Sequence, residues 1–147
     1  MQSAFVKLQD AAARRLIRRR DFASIPVLTR RNGNLPASIK EAVAQRGLCV
    51  VVMPPRPRRA DAGQETPVFT EVDVCVRVVE SAFQSHAGDA MGVAELVSRA
   101  LHGWQPATPG ITTPLALDAD DAWSMDEEPD RKGRYMIEVN FTTSASI

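Results

Sequence analysis

Two histidines, two cysteines and a set of closely spaced acids are the residues of this chain that would do chemistry if they converged. His86 and His102 are the only imidazoles, and neither stands within metal-ligand spacing of Cys49 or Cys75. Each reads as a solvated or capping side chain beside a helix boundary. Asp118, Asp120 and Asp121, with Asp126, Glu127, Glu128 and Asp130, would offer oxygen ligands to a divalent cation. Their spacing fails the EF-hand pattern, because Ala122 and Trp123 stand where that loop needs an oxygen donor and then a glycine. A solvated acidic loop is the simpler reading. No serine lies in a Gly-x-Ser-x-Gly elbow, no glycine-rich loop ends in Lys-Ser or Lys-Thr, and no Gly-x-Gly-x-x-Gly occurs. No catalytic residue, cofactor or metal ligand is assigned, and the expectation is a protein that is not an enzyme.

What remains is the chemistry of charge. Residues 1–60 hold 13 Lys or Arg against 3 acids and residues 61–147 hold 5 against 15, so a net charge of zero conceals halves of +10 and −10. Opposite poles suit a subunit that docks onto copies of itself, or one that shows a basic face to nucleic acid. Folding that interleaves the halves would erase the asymmetry. The basic set comprises Arg14, Arg15, Arg18, Arg19 and Arg20 with Arg30, Arg31, Arg56, Arg58 and Arg59. No aromatic residues interleave with it, and no helix-turn-helix or zinc-finger spacing appears, which leaves sequence-blind backbone contact as the nucleic-acid reading. Arg14, Arg15, Arg18, Arg19, Arg56, Arg58 and Arg59 are the candidate basic contacts. Asp120, Asp121, Trp123, Asp126, Glu127 and Glu128 are the candidate acidic ones, with Trp123 an anchor that pins its loop onto the body of the protein or onto a partner.

The elements that must position these residues are legible from periodicity. Phe5, Leu8, Ala12 and Leu16 draw one apolar stripe and predict an amphipathic helix over residues 3–20. A short strand follows at 25–28, which Pro26 confines to an edge or a start, and then a loop at Arg31-Asn32-Gly33-Asn34. Pro36 in the first turn, Ile39, Ala42 and Val43 at helical spacing, and Gly47 as a left-handed stop predict a second helix over 36–46. The continuous apolar run at 48–53 has the pattern of a strand covered on both faces. It is also the longest apolar stretch, far short of the roughly 20 residues a membrane-spanning helix requires. Pro54, Pro55 and Pro57 predict an exposed, mobile loop near 54–66.

Val72, Val74, Val76 and Val78 alternate with Asp73, Cys75 and Arg77 in the longest strand signal, over 67–82. After a loop at His86-Ala87-Gly88, Asp89 as N-cap and Met91, Ala94, Leu96, Val97, Ala100 and Leu101 as apolar side predict a third helix, stopped by Gly103. Trp104 is placed to cap the core. Residues 104–133, rich in Pro, Gly and acid, read as a second mobile loop with one short strand at 115–117, and an alternating strand over 134–142 closes the chain. Cys49 and Cys75 fall in valine-rich strands and read as free thiols rather than a disulfide. The start lacks the basic and apolar regions of a secretory signal, so synthesis and use in a cytoplasm are expected. At 147 residues, 44% apolar and 24% charged, the expected fold is one α+β domain: a mixed, mainly antiparallel sheet flanked by about three helices.

The stretch Ala94-Glu95-Leu96-Val97-Ser98-Arg99-Ala100-Leu101-His102-Gly103-Trp104-Gln105-Pro106, followed by the strand Tyr135-Met136-Ile137-Glu138-Val139-Asn140-Phe141, resembles the tail terminator and tail completion proteins of tailed bacteriophages. Those small proteins show a helix ending in an Ala-Leu-x-Gly-Trp-x-Pro type stretch, a variable loop and a last strand of this kind. The resemblance implies a helix-flanked sheet subunit in the virion, made in the host bacterial cytoplasm, that forms a homo-oligomeric ring, typically a hexamer. Such a ring sits at the head-proximal end of the tail tube, stops tube growth, and meets the tail tube protein below and neck or head-completion proteins above. The family has no catalytic residues. A ring needs two unlike patches per subunit, and the charge split supplies candidates. Arg56, Arg58 and Arg59 would then line the lumen as a salt-sensitive surface for passing DNA, or become ordered on the tube. Two readings of other classes stand beside this one: a non-specific nucleic-acid-binding module, and a metal-dependent enzyme built on the acidic segment.

Overall fold

The valine alternation of the long central strand dictates the architecture, because a strand with one apolar face must lay that face against helices. In the computed structural model, which describes residues 2–30, 33–63, 65–83 and 89–147, three helices and seven strands form an α+β fold built on one mixed, mostly antiparallel sheet. The elements in chain order are α1 (Ala4–Arg18), β1 (Val27–Leu28), α2 (Leu35–Arg46), β2 (Leu48–Val52), β3 (Arg56–Asp61), β4 (Val68–Ser81), α3 (Ala90–Leu101), β5 (Ala116–Leu117), β6 (Trp123–Met125) and β7 (Arg134–Ser146). Arg31 and Asn32 of the expected loop, and the expected loop at His86-Ala87-Gly88, lie outside the described residues.

The spine of the sheet is the antiparallel pair β4 and β7, which runs from Val68 opposite Ser146 to Ser81 opposite Arg134 with a register shift between Phe69 and Val72. Val72, Val74, Val76 and Val78 bury completely beside Val139 and Phe141, under α1 and α3. β2 is buried along its whole length. Leu48, Val50 and Val52 join the core beneath α1 and α3, while Cys49 and Val51 turn to the other face and pack under Ala42 and Val43 of α2. β1 pairs parallel with β2, and every other pairing is antiparallel.

β5 falls within the short strand expected at 115–117, whereas β3 and β6 are strands within segments expected as loops. Prolines lack the amide donor of a strand ladder, yet β3 sits at an edge, where only one side of the strand must pair. It continues β2 along the same side of β4, with Arg56 opposite Asp73 and Asp61 opposite Val68 and register shifts on either side of Arg59. Residues 104–133 likewise run beside β7: Ile111 bridges Ala145, β5 faces Thr142 and Phe141, and β6 faces Val139 to Ile137. With a partner on that side, β7 extends to Ser146, four residues beyond the expected end.

The helices depart from expectation in one instructive place. α3 buries Ala90, Val93, Ala94, Val97, Ala100 and Leu101, and Met91 points out at 53% exposure. Positions 90, 93, 94, 97 and 101 make the stripe at three- and four-residue spacing, and Met91 lies about 100° around the helix from position 90. Asp89 caps α3 as expected, accepting from the Gly92 amide, and Gly47 ends α2 in the left-handed region at φ 80°. α1 stops at Arg18 and passes into a single 3-10 turn over Arg20–Phe22.

Gly103 and Gly110 both hold positive φ, 79° and 94°, in the connection after α3. Only Gly110 is crowded: a Cβ there would lie 2.9 Å from the Ser146 carbonyl oxygen, whose amide donates back to the Gly110 carbonyl at 2.7 Å. Gly103→Ala is expected to cost about 1–2 kcal/mol, the penalty of a left-handed Cβ. Gly110→Ala is expected to cost more, because the end of β7 must also move, and chemical denaturation of the two variants checks the order.

Candidate functional site

Two charged surfaces lie near the two ends of α3, one built mainly by α1 and one by the start of α3 itself. Its rise of 1.5 Å per residue over 12 residues sets its ends about 18 Å apart. Trp123 pins β6 against its side, since the indole Nε1 donates to Ser98 Oγ at 3.0 Å and the Ser98 hydroxyl donates to the Ala94 carbonyl at 2.8 Å. Trp123 is therefore an anchor onto the body of the protein.

At the C-terminal end of α3 lies a basic cleft of about 590 Å³ between α1 and the segment from Trp104 to Pro109. Lys7, Arg14, Arg15, Arg18 and Arg19 line it, with Asp10 as the acid. The arginines divide into two kinds. Arg15 is turned inward: its Nε donates to the Ala100 carbonyl at 2.7 Å and its guanidinium lies 5.4 Å from the Trp104 ring centre. A cation at an unsatisfied carbonyl of the last helical turn is favourable for both the hydrogen bond and the helix dipole, so Arg15 ties α1 to α3. Arg19 pairs with Asp21 at 3.3 Å. Arg14 and Arg18 are exposed and make no ion pair among the described residues.

At the N-terminal end of α3 lies an acidic groove of about 620 Å³, where Glu80, Asp89, Glu95 and Asp126 surround Met91, Met125, Tyr135 and Met136. The helix terminus itself is already satisfied: Glu80 accepts from the Ala90 amide at 3.2 Å and Asp89 from Gly92. Glu95 and Asp126 are exposed. Sequence reasoning found Asp126, and Asp89 as the N-cap of α3, but missed Glu80 and Glu95, which come from β4 and α3. The readable signal was Met91 and Glu95, four residues apart on the outward side of one helix.

The other candidates disperse. Arg56, Arg58 and Arg59 stand on β3, apart from the cleft, and Arg58 lies 3.4 Å from Glu71 and 3.3 Å from Asp73. Asp118 shapes a turn by accepting from the amides of Asp120 and Asp121. Asp120, Asp121, Glu127 and Glu128 are exposed. His102 Nδ1 accepts from the Leu117 amide at 3.0 Å, a structural role, and His86 lies outside the described residues. No group of three or more His, Cys, Asp or Glu is placed to hold a metal ion among the described residues. No helix among them is long and apolar enough to cross a membrane.

Neither thiol is poised for chemistry. Burial raises Cys49 from the ordinary 9.0 to about 11. Burial, followed by a hydrogen bond to Glu138 at 3.1 Å, raises Cys75 to about 12. Both are free.

No protein-family model matches the chain, and no curated protein matches it either. Among solved structures, the chain resembles one described as the virion of a native gene transfer agent (GTA) particle, with a TM-score of 0.65 and 18% identity. The alignment covers 99% of this chain and 100% of that one, so the two share a fold from end to end.

The two kinds of arginine should separate by stability. Arg15→Ala is expected to cost about 1.5–3 kcal/mol, the range for a hydrogen bond to a charged group, whereas Arg14→Ala stays within about 0.5 kcal/mol of the parent. Urea denaturation of both variants measures this. The thiols give a pH signature. Their folded-state pKa values are raised, so their contribution to stability is complete below about pH 9 and is lost as the pH climbs through about 11 and 12. Iodoacetamide at pH 8 should accordingly leave the native protein unmodified and alkylate both cysteines in denaturant, with mass spectrometry as the readout.

Proposed function

We propose that this chain is a structural subunit of a phage-like virion that works by contact rather than catalysis, and specifically a tail terminator. It forms a homo-oligomeric ring, a hexamer on this reading, at the head-proximal end of the tail tube, stops tube growth and joins the tail to neck or head-completion proteins. The observation that carries the reading is the end-to-end likeness to a chain of the gene transfer agent virion. The Ala100-Leu101-His102-Gly103-Trp104-Gln105-Pro106 stretch supports the same placement, and in the fold it closes α3 and forms one wall of the basic cleft. A ring requires a heterologous interface with two different patches on each subunit, and the groove and cleft at opposite ends of α3 have that form.

A second reading rests on the cleft alone. Arg14 and Arg18, exposed beside Lys7, suit the phosphate backbone of a duplex in a sequence-blind, salt-sensitive contact. On the terminator reading the same contact would be made by DNA passing through the ring.

Deleting the gene in a producing strain should yield tails of irregular length that are not joined to heads, and antibody against the protein should label the head-proximal end of complete particles in electron micrographs. Tails of normal length in the deletion, or label at the distal tip, would refute the terminator assignment. Gel shift on duplex DNA at low salt by a protein that stays monomeric would favour the second reading instead.

A further inference from the structure

The two ends of α3 are complementary in more than sign. Around the acidic groove, Met91 and Met125 stand 53% and 51% exposed with Glu95 and Asp126 beside them. On α1, next to the basic cleft, Ile17 stands 56% exposed, three residues from Arg14 and adjacent to Arg18. These are three of only five large apolar side chains that are exposed among the described residues. Each patch is thus an apolar centre with a charged rim, cationic on one and anionic on the other.

We infer that the outer face of α1 around Ile17 docks into the groove at the N-terminal end of α3 of a second copy of this chain. The contact rests on the ring reading above and names the surfaces that would make it. Ile17 seats against Met91 and Met125, whose flexible unbranched side chains adapt to a partner. Arg14 and Arg18 face Glu95 and Asp126. Exposed rim charges add little affinity but fix orientation and exclude like-charged pairings. Because the face lies on α1 and the groove at the start of α3, using one leaves the other open, and copies add head to tail. The internal ties are left intact: Arg15 and Arg19 are engaged within the subunit, as are Glu80 and Asp89.

Charge reversal tests the pairing through residues that make no such ties. One variant carries Arg14→Glu with Arg18→Glu, the other Glu95→Lys with Asp126→Lys, and light scattering reads the mass of each alone and of an equimolar mixture. The wild type is expected to form an oligomer of one size, each variant to stay monomeric at the same concentration, and the mixture to recover the oligomer, since each reversed face then meets a reversed groove. Variants that assemble like the wild type, or a mixture that stays monomeric, would overturn the inference and leave the ring reading standing on another interface. A wild type that never leaves the monomer would remove both. Loss of duplex DNA binding by the arginine variant with assembly unchanged would assign the cleft to nucleic acid and overturn the inference. Should a variant fail to fold, Ile17→Cys combined with Met91→Cys gives an independent reading, because both native thiols are held protonated by burial. Mild oxidation should then link the double variant into a ladder of covalent multimers and leave each single variant without one. Absence of that ladder would overturn the docking geometry.

Discussion

Everything in this molecule hangs on the long antiparallel pairing of β4 with β7. Twelve residues of each strand are matched, one face of the pair is a closed row of valines, isoleucine and phenylalanine, and a slip by one residue would turn that row to solvent. With the register held, each remaining edge of the ladder is filled by two short pieces set end to end: β2 and β3 along β4, and β5 and β6 along β7.

α3 inherits its position from that sheet and passes it on to the charged surfaces. Its apolar stripe rests on β4 and β7, its start is held by Asp89 and Glu80, its side by Trp123 and its last turn by Arg15. These ties use charged and polar groups that composition alone would assign to solvent. Glu95 on α3 with Asp126 after β6, and Arg14 with Arg18 on α1, make none of these ties and stand exposed to meet a partner.

Much of this was legible in the sequence because burial follows period. The two-residue alternation of β4 and β7, the unbroken apolar run of β2, the Pro36 and Gly47 limits of α2 and the Asp89 cap all express local rules with one outcome. β3 was not legible, since arginines and prolines satisfy no strand pattern and the segment becomes a strand only because β4 offers it an edge. β6 was hidden for the same reason. In the candidate site, Arg14 and Arg18 could be read from the chain as exposed cations, but the division between them and Arg15 depends on a carbonyl 85 residues away. The acidic groove draws on β4, α3, β6 and β7, so no window of sequence contained it.

The halves of +10 and −10 are partly reconciled by folding and partly kept apart. Reconciliation occurs where the sheet crosses the halves, as Arg58 meets Glu71 and Asp73 across β3 and β4. Separation survives where helices carry the charge, because α1 and the start of α3 are not neighbours in any strand ladder. For a subunit that adds to copies of itself this division has a physical merit. A net charge of zero means that repulsion does not accumulate as copies join, while the local poles still distinguish one end of each copy from the other. A uniformly basic protein of the same size would orient well on DNA but oppose its own assembly, and a uniformly mixed surface would assemble without direction.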